Sequence, residues 1–193
     1  MRLPLLAFDT SAAQCAAALL LADRVILREE PMAKGQAERL IPMLEEMLAE
    51  AGIGWDELRA IAVGTGPGNF TGVRISVAAA RGLALGLGIP AVGVTRLEAL
   101  AHGLPRPVRI VDDARRGEVY VQHFTAEGAG QATIVPLAGA AADDAPRSAY
   151  PIAHAIALIG AARAETPQPR PAPFYLRGAD ASPPSDPPPV ILP

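Results

Sequence analysis

The sequence predicts an α/β fold in which mixed sheets are flanked by helices. Three observations carry this. Three short apolar runs open the chain, the spacing changes to threes and fours over residues 36–51, and a strand-like run then leads through a glycine-rich loop into a second apolar helix.

Leu5–Phe8, Ala16–Leu21 and Val25–Arg28 are the opening runs, and Asp23-Arg24 makes a tight turn between the last two. Short strands on short turns read as an antiparallel meander. In Gln36–Ala51, Leu40, Ile41, Leu44, Met47, Leu48 and Ala51 share one helical face, and Gly52 is a natural stop. Pro42 predicts that this helix begins near Ile41 or kinks there. Ala60–Val63 reads as a buried strand, Val73–Leu87 as a helix closed by Gly88, and Ala91–Val94 as another strand. Thr95 and Glu98 have capping-box spacing, so a helix starts there. Val108–Val111 and Val119–Phe124 predict a second hairpin with Asp113–Gly117 as its polar turn. Thr133–Leu137 adds a third strand, and Ile152–Ala164 has helical spacing. From Thr166 proline dominates and predicts an extended tail, except that Phe174-Tyr175-Leu176 is apolar enough to dock back.

Composition narrows the function. The chain has 193 residues, 50% apolar but only 4% aromatic, so its core is built from small and branched side chains. Net charge is −3 and no basic stripe stands out, which argues against a chain that grips nucleic acid alone. Arg115-Arg116, the densest basic pair, reads as a solvated hairpin. Cys15 is the single cysteine, which excludes an internal disulfide and a thiolate metal site. The start is too short for a signal peptide, and Ser76–Val94 is interrupted by Arg81 and glycines, so a cytoplasmic protein is expected.

The most informative stretch is Gly64-Thr-Gly-Pro-Gly-Asn-Phe-Thr-Gly72. Glycines between a strand and a helix let the backbone approach something closely, and a helix N-terminus can receive an anion. A Walker loop needs a lysine that is absent here, and the spacing and acidic partner of a Rossmann fingerprint are missing. Two readings stay open: a ligand-free structural turn, or half of a phosphate cleft completed by Asp9-Thr10-Ser11 at the end of the first strand. The three histidines form no metal-ligating pair, and no nucleophile–base–orienter set can be named. Met43, Met47, Val77 and Leu83 suit either an ordinary core or a helical interface with another chain.

Leu6–Ser11, Ala62–Ser76, Asp113–Tyr120 and Phe174–Asp180 occur in one order. Together they resemble the bacterial TsaB (YeaZ) family, formerly grouped with glycoprotease-like M22 proteins. The resemblance implies a two-lobed actin/Hsp70-like fold, with residues 1–101 as a first lobe carrying the glycine loop and dimerisation helices. Residues 102–193 would be a shorter second lobe with the hairpin and the proline-rich tail. It implies a non-catalytic subunit in the synthesis of N6-threonylcarbamoyladenosine at position 37 of tRNA. Its partners would be a TsaD-like transferase and a TsaE-like ATPase, or a second copy when alone, with tRNA reached through the complex and no membrane. It assigns Leu40, Met43, Leu44, Met47, Val77 and Leu83 to the partner interface, and Asp9, Thr10, Ser11, Gly66, Gly68 and Asn69 to a phosphate cleft. No metal and no firm cofactor is implied, and weak binding of ATP or ADP stays open. The rival readings are a nucleotide-binding module and a free-standing M22-like hydrolase or ATPase.

Overall fold

The computed structural model describes residues 2–138, 140, 146 and 148–177. The last three residues of the Phe174–Asp180 stretch, the rest of the tail and part of 128–149 lie outside the described residues. The first sheet is built from β1 (Leu5–Asp9), β2 (Gln14–Leu20), β3 (Val25–Pro31), β4 (Ala60–Gly64) and β5 (Ala91–Val94). The order is β3-β2-β1-β4-β5. The meander is antiparallel as expected, and β4 and β5 run parallel to β1.

Side chains alternate across each strand, so the sheet has two buried faces. Leu6, Phe8, Leu19, Ile61 and Val63 meet α1 (Gln36–Ala51) and α2 (Phe70–Leu87). Leu5, Ala7, Ala18, Ala60 and Ala62 meet α4 (Ile152–Arg163). Alanines dominate this second face, which lets α4 come close. A Cβ at Gly160 would lie 2.4 Å from that of Ala62. The shortage of aromatic residues is thus matched by close packing of small ones.

A second, antiparallel sheet follows α3 (Arg96–Ala101): β6 (Val108–Arg115), β7 (Glu118–Phe124) and β8 (Thr133–Pro136), in the order β6-β7-β8. Its core joins Ile110, Tyr120 and Phe124 to Leu97 and Ala101 of α3. The fold is α/β, with sheets flanked by helices as expected. After the second sheet, α4 returns to cover the first one. It is apolar on nearly all sides and finds its burial there.

Two local expectations are revised. α1 starts at Gln36 and runs through Pro42, which sits at an exposed position. Strand β6 continues to Arg115, so the polar turn is only Arg116-Gly117. The apolar trio of the tail docks back as expected, with Phe174 and Leu176 packed on the core of the second sheet.

Candidate functional site

The glycine loop folds onto the end of β1. Thr10 Oγ1 donates to Gly72 O at 2.6 Å, and the Asn69 N–H donates to Ser11 O at 2.7 Å. Side chains at the glycines would collide with this turn. A Cβ at Gly68 would lie 2.4 Å from Ser11 O, and one at Gly72 1.9 Å from Thr10 O. Asn69 caps α2 by accepting from Gly72 N at 2.9 Å. Ser76 Oγ, buried, donates to Gly64 O at 3.2 Å and ties the helix to the strand before it.

The structure places the residues expected at a phosphate cleft in two different environments. Asp9, Thr10 and Gly66 are buried and do not line the cavity beside the loop. The Gly66 carbonyl accepts from Arg96 N at 2.8 Å. Ser11, Gly68 and Asn69 do line it. What Gly68 and Gly72 approach is the chain's own Thr10-Ser11 backbone, which needs the absence of a Cβ as a phosphate would.

Asp9 is completely buried. Its Oδ1 accepts from Ser11 N at 3.0 Å and Ser11 Oγ at 2.8 Å, while Oδ2 has no partner among the described residues. Gly64 makes room for it, since a Cβ there would lie 1.8 Å from Oδ2. Burial pushes the carboxyl above the usual aspartate range, against the pull of Arg96 and of the Ser11 hydrogen bonds. Arg96 Nε donates to Asp112 Oδ2 at 2.6 Å, and its Nη1 is buried without a partner among the described residues. Burial works against the Arg96 charge, but Asp112 and then Asp9 outweigh it and hold the guanidinium protonated.

A pH dependence follows. The folded pKa of Asp9 lies above its unfolded value. Its contribution to stability is therefore full below the unfolded pKa and is lost as pH rises through the folded pKa. Starting near ~3.9, wild-type stability should fall relative to Asp9→Asn, by up to about 1.4 kcal/mol per pH unit. Urea unfolding of both proteins across pH 4–8 tests this, and parallel curves would refute it.

Beside the loop lies a cavity of about 660 Å³. One wall is Ser11, Gly68 and Asn69; the other is the β6–β7 hairpin tip, Asp113–Arg116, with Arg96 and Tyr120 also lining it. The docked segment 171–177 closes one side. Phe174 N donates to Thr65 O at 2.8 Å, and the Tyr175 hydroxyl accepts from Arg74 Nε at 3.0 Å. Tyr175 also stacks on Phe70 at 5.1 Å, with Arg74 3.7 Å over the Phe70 ring. Arg177 donates to Ala114 O at 3.2 Å and pairs with Glu118. Arg115 and Arg116 hold φ of 63° and 56°, left-handed values unusual for non-glycine residues.

Among the described residues no group of three or more His, Cys, Asp or Glu side chains could hold a metal ion. Cys15 is buried and its thiol is pushed up to about 11, first by burial, which makes it inert. His102 and His154 flank Tyr150 at 5.6 and 5.1 Å in an aromatic cluster.

The side chains expected at a partner interface lie inside this chain. Leu40, Met43, Leu44, Met47 and Val77 are at most 2% exposed, and Leu83 is partly buried against the same core. Their stripe serves the first sheet. What α2 turns outward is Arg74, Ala78, Gly82 and Leu85, and Leu85 is 77% exposed. Gly82 and Gly86 have nothing within 4 Å of where a Cβ would be. The spacing Ala78-x-x-x-Gly82-x-x-x-Gly86 is the sequence signal for this face.

Residues 30–182 match the family model of TsaD, the tRNA N6-adenosine threonylcarbamoyltransferase. The tRNA threonylcarbamoyladenosine biosynthesis protein TsaB of Haemophilus influenzae is 37% identical over 131 residues, covering 65% of this chain and 55% of that protein. An uncharacterized protein of Mycobacterium tuberculosis is 36% identical over 200 residues, covering 92% of this chain and 93% of its own. The solved structure of YeaZ from Pseudomonas aeruginosa matches with a TM-score of 0.71 and 30% identity, covering 89% of this chain and 99% of that one. The chain spans about half the length of the curated TsaB relatives it matches.

Proposed function

Because the chain belongs to the TsaB (YeaZ) family, we propose that it is the non-catalytic activating subunit of an assembly that makes N6-threonylcarbamoyladenosine at position 37 of tRNA. It pairs there with a TsaD-like transferase, and a TsaE-like ATPase joins them in the cytoplasm. Alone, it pairs with a second copy. The observation that carries this reading is the outward face of α2. That helix is long and apolar enough to cross a membrane, yet only a third of it is buried. One side packs on the sheet, and the other offers Ala78, Gly82, Leu85 and Gly86. Small residues along a helix let a second helix lie close, at the 8–10 Å spacing of packed helices. A contiguous exposed apolar face of this kind favours a protein partner. Hydrolysis or ATP turnover by the chain alone is disfavoured, because Asp9 and Thr10 are sealed beneath the glycine loop.

The test mixes the full chain with the transferase paralogue of the same organism and measures complex mass by light scattering after size exclusion. A heterodimer is expected. Leu85→Asp should weaken it roughly 30-fold or more, the effect of losing a central anchor, while circular dichroism stays native. Absence of any complex sinks the reading, and a Leu85→Asp protein that pairs normally moves the interface off α2.

A further inference from the structure

The outward face of α2 carries charge as well as apolar surface. The helix has two charged residues, Arg74 and Arg81, and no acid. Arg74 is exposed and Arg81 partly so, on the side that shows Ala78 and Leu85. Seven positions of helix separate them, about 10.5 Å along the axis at 1.5 Å per residue. Among the described residues neither is paired with a carboxylate. The neighbouring helix shows the contrast, since Arg39 of α1 pairs with Glu30 and Glu46. Arg74 is also held in place. Its guanidinium lies 3.7 Å over the Phe70 ring, and its Nε donates to the Tyr175 hydroxyl at 3.0 Å. Tyr175 stacks on Phe70 at 5.1 Å and so brings the tail onto the same face. Of the five large apolar side chains exposed among the described residues, Phe70, Leu85 and Tyr175 belong to this face.

A guanidinium fixed by a ring and a hydroxyl loses little freedom when a carboxylate arrives, and an apolar surround strengthens such a pair by excluding water. A second copy is a poor fit through this helix. Across a two-fold axis the same patch meets itself, so arginine faces arginine and α2 has no acid to answer it. An anionic membrane favours a helix whose polar face is rich in basic residues, and α2 has two. A protein helix with carboxylates two turns apart matches the charge, the spacing and the apolar surface together.

We propose that α2 and the docked tail form one surface for an acid-bearing helix of the partner, with carboxylates seven residues apart pairing with Arg74 and Arg81. Tyr175 is the positioning residue that holds Arg74 ready. Resting on the proposed pairing with a transferase, this makes the tail segment part of the interface and the two arginines its specificity residues. Charge across an interface sets partner choice and encounter rate more than raw affinity, so the arginines select the transferase over a second copy of this chain.

The experiment measures association of the full chain with the transferase paralogue by surface plasmon resonance over a salt series, with light scattering for the mass of each species. Wild-type association should slow as salt rises, because screening shortens the reach of exposed charges. Arg74→Glu and Arg81→Glu should each weaken the heterodimer roughly 10- to 100-fold, the cost of setting like charges together, while circular dichroism stays native. Arg81→Lys, which keeps the charge, should retain most of the affinity. Tyr175→Phe removes only the hydroxyl. It should weaken pairing in the wild-type background and have no further effect beside Arg74→Ala, as coupled residues do; equal losses in both backgrounds overturn the positioning role. A wild-type complex indifferent to salt and to both charge reversals overturns this inference and leaves the pairing standing. Reversals that break self-association of the chain and spare the heterodimer also overturn it, and assign the face to a second copy. Binding to phosphatidylglycerol vesicles that the reversals abolish, with the heterodimer intact, overturns it in favour of a membrane. Absence of any wild-type complex instead overturns the pairing itself, and this inference with it.

Discussion

Gly72→Ala is expected to remove much of the stability of the whole chain. The added methyl would sit 1.9 Å from the Thr10 carbonyl oxygen and 3.0 Å from its carbon. Both belong to the buried backbone at the end of β1, so no side chain can swing aside. Relief requires α2 to lift from the sheet, which breaks the Thr10 to Gly72 hydrogen bond of 2.6 Å and the Asn69 to Ser11 bond of 2.7 Å. Overpacking typically costs 1–3 kcal/mol and sometimes more. With backbone on both sides of the clash, a loss of roughly 3 kcal/mol or more is expected, a large share of the 5–15 kcal/mol available to a domain. Gly82→Ala, ten residues along the same helix, should have the opposite sign. Nothing lies within 4 Å of its Cβ position, and Gly→Ala in a helix interior gains about 0.4–1 kcal/mol. Urea unfolding of the two variants separates these cases. A Gly72→Ala midpoint at or above that of wild type would mean that the loop does not close on Thr10.

That contrast shows what is legible in the sequence and what is not. The meander, the parallel strands and the Thr95–Glu98 capping box are set by local signals, and each is present where its residues predict. A glycine-rich loop is also a local signal, but it reports only that something approaches without room for a Cβ. A phosphate oxygen and a carbonyl oxygen of Thr10 make the same demand. Helical periodicity has the same limit. It places Leu40, Met43, Leu44 and Met47 on one face of α1, and it cannot say whether that face meets the chain's own sheet or another protein. The neighbour across the face is decided by Leu6, Phe8, Leu19, Ile61 and Val63, all distant in sequence.

The cleft is harder to read from sequence for a related reason. Phe70, Arg96, Arg115 and Tyr175 are separated by up to about a hundred positions and lie in four different elements or segments. Each is ordinary alone. Arg115-Arg116 looks like any solvated turn until β6 and β7 carry it opposite the glycine loop, and Tyr175 looks like tail until it stacks on Phe70. Side chains gathered by tertiary structure leave no periodic trace, so the cleft is less legible than the core that supports it.

Met47→Asp is expected to unfold the protein outright, and for a reason that bears on any interface experiment. Met47 is 0% exposed, between α1 and the first sheet. Aspartate there loses the apolar burial, for which large-to-small core changes cost roughly 2–5 kcal/mol. It must also become neutral or be buried charged. A fully buried carboxyl has its pKa raised by up to 3–5 units, and each unit is about 1.4 kcal/mol, so at neutral pH the added cost is several kcal/mol. The sum rivals the total stability of a domain, and the variant should be unfolded by circular dichroism at room temperature. It would then also fail to bind the transferase paralogue, and that failure would say nothing about where the partner sits. Leu85→Asp places the same group on the outward face of a neighbouring helix, where 77% of the residue is already in solvent. Folding should survive there while pairing is lost. The two variants together separate the core from the interface: loss of pairing in a native Leu85→Asp protein locates the partner on α2, whereas a folded, pairing-competent Met47→Asp protein would show that α1 does not pack on the sheet through this residue.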